Sequence, residues 1–244
     1  MKFIKYSIAL IICFALSVPA MAQRSTRGQG EVPPPKTKKA AQEQTVPHRS
    51  KKRSPQNTGA VAGQIRPRVF LNPGHGGHDS DDRPCPFYNE GMQARVEYYE
   101  SDSNLKGAMA MKDILRSRGY EVFMSRVNNT TDDDLNLFEI HQLALNSGAD
   151  VFFAIHSNSS GSATRRVNFP FAIYRGYDGG GTAEGSEELA GIVASNLADC
   201  EATSWSRGGL THGDWSFYRN RSGLGVFRWN KLPGILVENC FHDY

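Results

Sequence analysis

Cysteine is scarce in this chain of 244 residues: there are four, at positions 13, 85, 200 and 240, and no two share a CxxC spacing. That excludes a Cys-rich zinc module. No helical HExxH pair is present either, so the commonest metalloprotease signature is missing. Long apolar runs are lacking too. The stretch Ile8 to Leu16 is too short to span a bilayer comfortably, and no later segment supplies a span. Residues 23–66 contain no interleaved aromatics, which argues against a nucleic-acid-binding tail.

What is present at the start reads as a secretory leader over residues 1–22. Lys2 and Lys5 form a basic n-region, Ile8 to Leu16 the apolar core, and Ala20-Met21-Ala22 a small-residue cleavage motif. The expected mature protein is therefore exported, to the periplasm or the cell envelope and exterior. Cys13 lies inside the apolar core and not at a lipoprotein-type site. Removing the leader leaves Cys85, Cys200 and Cys240, an odd number that allows one disulfide and a free thiol, or none. Cys240 reads as a buried, inert thiol, since no pattern of a cysteine nucleophile surrounds it.

Charge divides the rest. Residues 23–66 hold ten Lys and Arg against Glu31 and Glu43, a net of about +8, which leaves about −7 for residues 67–244 once the two leader lysines are counted. The mild basicity of the whole chain thus belongs to the tail. Such a segment buries too little apolar surface to fold alone, and a solvated spacer is favoured over a tether to envelope polyanions.

From Arg68 onward apolar runs alternate with helical patterns, which predicts a single α/β domain over 67–244 with a mostly parallel twisted sheet flanked by helices. Strands are expected near 69–71, 120–124, 151–155, 171–174 (at an edge) and 234–237. Helices are expected at 104–118 (capped by Asp102 or Ser103), 135–147 (stopped by Gly148) and 186–199. Residues 203–232, rich in Gly, Trp and Arg, suit a binding-surface loop.

Three candidate site residues follow buried strands: His75 after Val69-Phe70-Leu71, His156 after Val151 to Ile155, and Glu238 after Ile235-Leu236-Val237. Ligands of open α/β sheets bind beyond the carboxyl ends of the strands. Two imidazoles and a carboxylate arriving at that edge suggest a metal-dependent hydrolytic site. Catalytic zinc takes three protein ligands and keeps a fourth position open, so one more ligand is required. Glu90, Glu97, Glu100, Asp79, Asp81 and His78 all qualify, and spacing alone does not choose among them. Asp150 precedes its strand and belongs at the opposite end of the sheet.

Four segments in order then make a resemblance. They are Asn72-Pro73-Gly74-His75-Gly76-Gly77, Glu100-Ser101-Asp102-Ser103-Asn104-Leu105, Leu145 to Asp150 running on to Ala154-Ile155-His156-Ser157-Asn158, and Pro233 to Phe241 around Glu238. The chain resembles the zinc-dependent N-acetylmuramoyl-L-alanine amidases of the amidase-3 family over about residues 68–244. The resemblance implies that His75, Glu100 and His156 bind Zn²⁺, with Glu97 the alternative to Glu100, and that Glu238 is the catalytic carboxylate. It also implies a peptidoglycan substrate and an envelope-associated activator as partners. Departures from the family pattern are Asn72 where Asp is common, Ala154 where Ser is common, and His141 where Arg is usual. The segment from His75 to Glu100 is longer than typical and contains Pro84-Cys85-Pro86. The chain stops at Tyr244, where the family usually continues into another helix, so a truncated sequence or a domain missing one covering helix is expected. Asn158 and Asn239 are candidates to orient the site, and Arg228 to meet substrate carboxylates. Two other classes compete: a wall-binding or regulatory protein that kept the fold and lost turnover, and another zinc hydrolase such as a peptidase or deacetylase.

Overall fold

The computed structural model describes residues 66–82, 84–89, 93–160, 167–176, 183–199, 210–218 and 223–242. The leader, almost all of the basic segment, Glu90 and Cys200 lie outside the described residues, as does part of 203–232.

Six strands form the main sheet: β1 (Val69–Pro73), β4 (Val122–Met124), β5 (Val151–Asn158), β6 (Phe171–Tyr174), β7 (Leu210–Gly213) and β8 (Gly234–Phe241). Their order is β4-β1-β5-β8-β6-β7, and only the β6–β8 pairing is antiparallel. The central strands are buried on both faces, which is why their sequences read as continuous apolar runs and not as alternation. On one face, helices α1 (Glu100–Ser117) and α3 (Ser186–Asp199) bring Met111, Leu115, Leu189, Val193 and Leu197 against Leu71, Phe153, Ile155 and Val237. The other face packs α2 (Leu137–Ser147) and a 3-10 turn (Gly225–Phe227) over Phe70, Phe152 and Leu236. Phe70 and Phe152 stack across β1 and β5 with centroids 5.8 Å apart. A five-residue helix, α4 (Asp214–Tyr218), follows β7. No helix among the described residues is long and apolar enough to cross a membrane.

Several expectations are corrected. Strand 171–174 has the expected limits but lies between β8 and β7, not at an edge. The edge strand β7 was hidden because Leu210-Thr211-His212-Gly213 carries one apolar residue. The long loop before α1 holds an antiparallel hairpin, β2 (Cys85–Asn89) with β3 (Ala94–Tyr98), whose mixed sequence shows no alternation. The last strand runs on past 237 to Phe241. Of the cysteine pairings left open, Cys85 with Cys240 is not made, and Cys200 lies outside the described residues.

The most consequential correction concerns α1, which begins at Glu100 and not at 104. Neither Asp102 nor Ser103 caps it, and the residue before it, Tyr99, makes no side-chain cap. The cap arrives from a distance: Asp82, buried, accepts from the Glu100 amide at 3.0 Å and from the Ser101 amide at 3.3 and 3.4 Å. A carboxylate on the first amides satisfies orphan donors and meets the positive end of the helix dipole. Helix α2 starts conventionally, with a reciprocal Asn136–Glu139 capping box, and Gly148 closes it at φ 66°.

Asp82→Ala is expected to lower the unfolding free energy by about 1–2 kcal/mol. Urea titration checks this, and an unchanged midpoint would remove Asp82 as the cap of α1.

Candidate functional site

The β1 ladder continues one residue past the strand, where the Gly74 amide donates to the Ile155 carbonyl at 2.9 Å. His75 then adopts φ 58°, a left-handed conformation uncommon for a side-chain-bearing residue. A Cβ on Gly74 would lie 2.1 Å from the His156 ring, so only glycine lets the turn pass this close to the imidazole. These two positions bring His75 and His156 together, ring centroids 5.0 Å apart at 74°.

Glu100 lies between them. Its Oε2 is 3.2 Å from His75 Nε2, and its Oε1 is 3.0 Å from His156 Nδ1. Oε1 also accepts from the Ser157 amide at 2.9 Å and from Asn104 Nδ2 at 3.0 Å. Burial opposes the Glu100 charge, but the hydrogen bonds from His156 and His75 outweigh it and hold the carboxyl far below the usual carboxylate range. Burial likewise opposes charge on His75, yet Glu100, with Asp81 bonded at Nδ1 (3.2 Å), raises it to about 9. The field at this point therefore favours positive charge. Ligand atoms of His75, Glu100 and His156 all lie within 4.8 Å of one another.

Glu238 stands beside His156 across the β5–β8 ladder. It is 6% exposed, and its Oε2 has no hydrogen-bond partner. Burial, together with the charge of Glu100 and against that of His75, pushes its carboxyl up to about 8. A carboxyl in that range both accepts and donates a proton near neutrality. Two imidazole nitrogens and a carboxylate oxygen are the donor types that zinc takes, so the residues present fit such an ion.

Arg126 was missed by the sequence reading, although it follows strand β4 at the same sheet edge. Buried at 4% exposure, it donates to the carbonyls of Pro73 (3.3 Å), Gly74 (3.0 Å), Ser101 (3.0 Å) and Asn128 (3.1 Å) and to Asn129 Oδ1 (3.1 Å). One guanidinium thus fixes the His75 turn to the start of α1. Asn129 and Ser101 reinforce the join by bonding the Gly77 amide and carbonyl respectively. Asn72, which the family pattern replaces with Asp, accepts from Ser125 Oγ at 2.8 Å and ties β1 to β4.

The remaining candidates are placed elsewhere. Glu97 is exposed and bonded to the Tyr99 hydroxyl, and His78 stacks on Tyr99 and bonds Asp102. Asp79, Asp81 and Asp134 gather as a second acidic group beside His75. Asp150 accepts from the Arg68 amide at the opposite end of the sheet. Asn158 accepts from the next amide, Ser159, while Asn239 keeps a buried, unpartnered Oδ1. His141, on the buried face of α2, donates from its Nε2 to the Val226 carbonyl. The Arg228 guanidinium lies over the Trp229 ring. Burial pushes the Cys240 thiol up to about 11, so it stays protonated.

Fold and site together define an α/β domain with a potential His–Glu–His metal site and a buried acid at the carboxyl edge of its sheet. The family follows from comparison. The sequence model of the Amidase_3 family, described as N-acetylmuramoyl-L-alanine amidase, matches residues 69–243, and the chain belongs to that family. A sporulation-specific N-acetylmuramoyl-L-alanine amidase of Bacillus subtilis (strain 168) is 29% identical over 177 residues, covering 72% of this chain and 56% of the relative. The N-acetylmuramoyl-L-alanine amidase CwlM of Bacillus licheniformis is 26% identical over 179 residues, 72% of this chain and 57% of its own. The chain thus spans little more than half the length of these relatives. The crystal structure of the apo N-acetylmuramyl-L-alanine amidase Ami1 of Mycobacterium abscessus shares the fold, with a TM-score of 0.51 at 16% identity, covering 74% of this chain and 85% of that one.

Arg126→Lys keeps the charge but loses the planar fork, stranding buried carbonyls at the join of two elements. The expected loss is about 2–4 kcal/mol of stability, read as a lower urea midpoint; an unshifted midpoint would show the clamp to be dispensable.

Proposed function

We propose that this chain is an exported, zinc-dependent amidase that hydrolyses the amide between N-acetylmuramic acid and L-alanine in peptidoglycan. The observation that carries the reading is the convergence of His75, Glu100 and His156 beside the buried, unpartnered Glu238. Membership of the Amidase_3 family and the names of both bacterial relatives support it. The leader at residues 1–22 and the basic spacer at 23–66 suit a protein that works in the envelope, where an activator would also meet it.

His75, Glu100 and His156 would hold the ion, with Asp81 orienting the His75 ring through Nδ1. Zinc held there would supply Lewis acidity toward the carbonyl and toward water. Glu238 takes the proton of the attacking water on its free Oε2 and delivers it to the departing amide nitrogen. Its burial raises the carboxyl, which favours handing the proton on to the nitrogen once it has been taken.

Glu238→Gln is expected to reduce release of stem peptides from purified peptidoglycan by about 10²- to 10⁴-fold with zinc content unchanged. Mass analysis of the digestion products, with and without a chelator, is the measurement. Activity that survives complete metal removal, or a fully active Glu238→Gln variant, would overturn the mechanism.

Gly74→Ala sets a Cβ 2.1 Å from the His156 ring. Zinc affinity should fall about tenfold or more in competition with a chromogenic chelator; wild-type affinity would show that the close approach is not needed to align His156.

A further inference from the structure

Asn104 is a fully buried carboxamide on α1, one helical turn after Glu100. Residues four apart on a helix share a face, so the two side chains meet. Asn104 Nδ2 donates to Glu100 Oε1 at 3.0 Å and to the Gly74 carbonyl at 3.3 Å. Both neighbours are acceptors, so only the nitrogen can face them. Asn104 Oδ1 is left buried with no hydrogen-bond partner.

That orphan oxygen counts against Asn104 as a stabilising residue. Asparagine is less favourable than alanine inside a helix, and a buried acceptor with no donor costs desolvation that an apolar side chain avoids. The Gly74 carbonyl does not depend on Asn104 either, because Arg126 donates to the same oxygen at 3.0 Å. What remains is the bond to Glu100. The two oxygens of that carboxylate are unequally served. Oε1 accepts from the Ser157 amide at 2.9 Å, from Asn104 and from His156 Nδ1 at 3.0 Å. Oε2 meets only His75 Nε2 among the described residues, at 3.2 Å.

We infer that Asn104 is a positioning residue for the metal centre: with the Ser157 amide it occupies Glu100 Oε1, so that the carboxylate presents Oε2 to an ion shared with the two imidazoles. This assignment rests on the metal-site reading. A ring nitrogen that ligates a metal gives its lone pair to the ion and no longer donates a proton. With His75 Nε2 so engaged, Oε2 keeps no protein donor, while Oε1 keeps the Ser157 amide and Asn104. Those two donors come from different elements, β5 and α1, and together they fix the rotation of the carboxylate plane, which is otherwise a soft torsion. Hydrogen bonds of this kind to a ligating carboxylate set its orientation and the affinity of the site.

The test uses the full chain, stripped of metal and reloaded with zinc or cobalt. Asn104→Ala removes the donor together with the orphan oxygen, and Asn104→Leu does the same while filling the space. Zinc affinity, read by competition with a chromogenic chelator, should fall about tenfold or more in both variants. The rise in urea midpoint that zinc gives each protein should shrink with it. That rise compares a variant with its own metal-free form, so a change in metal-free stability does not enter it. The visible absorption of the cobalt form should alter as well, since it follows the number and arrangement of ligands. Wild-type zinc affinity in either variant, a cobalt spectrum unaltered in both, or a lowered metal-free midpoint without loss of affinity would each overturn the assignment, the last by making Asn104 merely structural. A wild-type chain that takes up neither ion would instead sink the metal-site reading, and this inference with it.

Discussion

The carboxylate of Glu100, shared between two imidazoles, is the interaction on which the geometry of the site depends. It joins three separate parts of the chain: the turn after β1, the end of β5 and the start of α1. Had α1 begun at 104, Glu100 would hang on a loop. As the first residue of an eighteen-residue helix it is placed by a rigid body. That start is itself over-determined, by the Asp82 carboxylate on its first amides and by Arg126 on the Ser101 carbonyl. The guanidinium also grips the Pro73 and Gly74 carbonyls, so the helix and the His75 turn move only together.

Two glutamates at this edge, Glu100 half-buried and Glu238 buried, have been given opposite characters by their surroundings. Glu100 accepts hydrogen bonds from two imidazoles, an amide and a carboxamide, and its ionised form is strongly favoured despite burial. Glu238 is more deeply enclosed and its Oε2 accepts none, so its neutral form competes near pH 8. Pairs of like groups pushed apart in this way divide labour between permanent charge and proton exchange. The division follows from strand register. Position 238 pairs with 156, which brings Glu238 next to an imidazole that is already committed to Glu100.

Much of this could be read from residues alone, and the exceptions share a cause. Buried strands announce themselves as apolar runs, so β1, β5 and β8 and the His75, His156 and Glu238 that follow them were legible. Helix α3 has its expected limits because Leu189, Val193 and Leu197 repeat at helical spacing between clear stops. What escaped were features set by partners remote in sequence. The cap of α1 lies eighteen residues upstream, and no local pattern identifies it. Spacing could not tell Glu100 from Glu97, Asp79, Asp81 and His78, because its place between the two imidazoles depends on a clamp, Arg126, that bonds 52 residues back to Gly74. The hairpin β2–β3 escaped because strand pairing there is antiparallel and local, without an apolar face in its sequence to betray it.

Three local rules are broken at the carboxyl edge of the sheet. His75 takes a left-handed backbone, Gly74 admits a ring where a Cβ would collide, and Glu238 is buried without a full complement of partners. Each of these is unfavourable taken alone. The opposite end, where Asp150 receives the Arg68 amide and α2 closes on Gly148, follows ordinary capping and pairing. The two-sided apolar core, with Phe70 stacked on Phe152, holds these side chains in positions they would not choose unaided. The core of this domain therefore supplies the rigidity that keeps an imidazole pair and two unlike carboxyls converged.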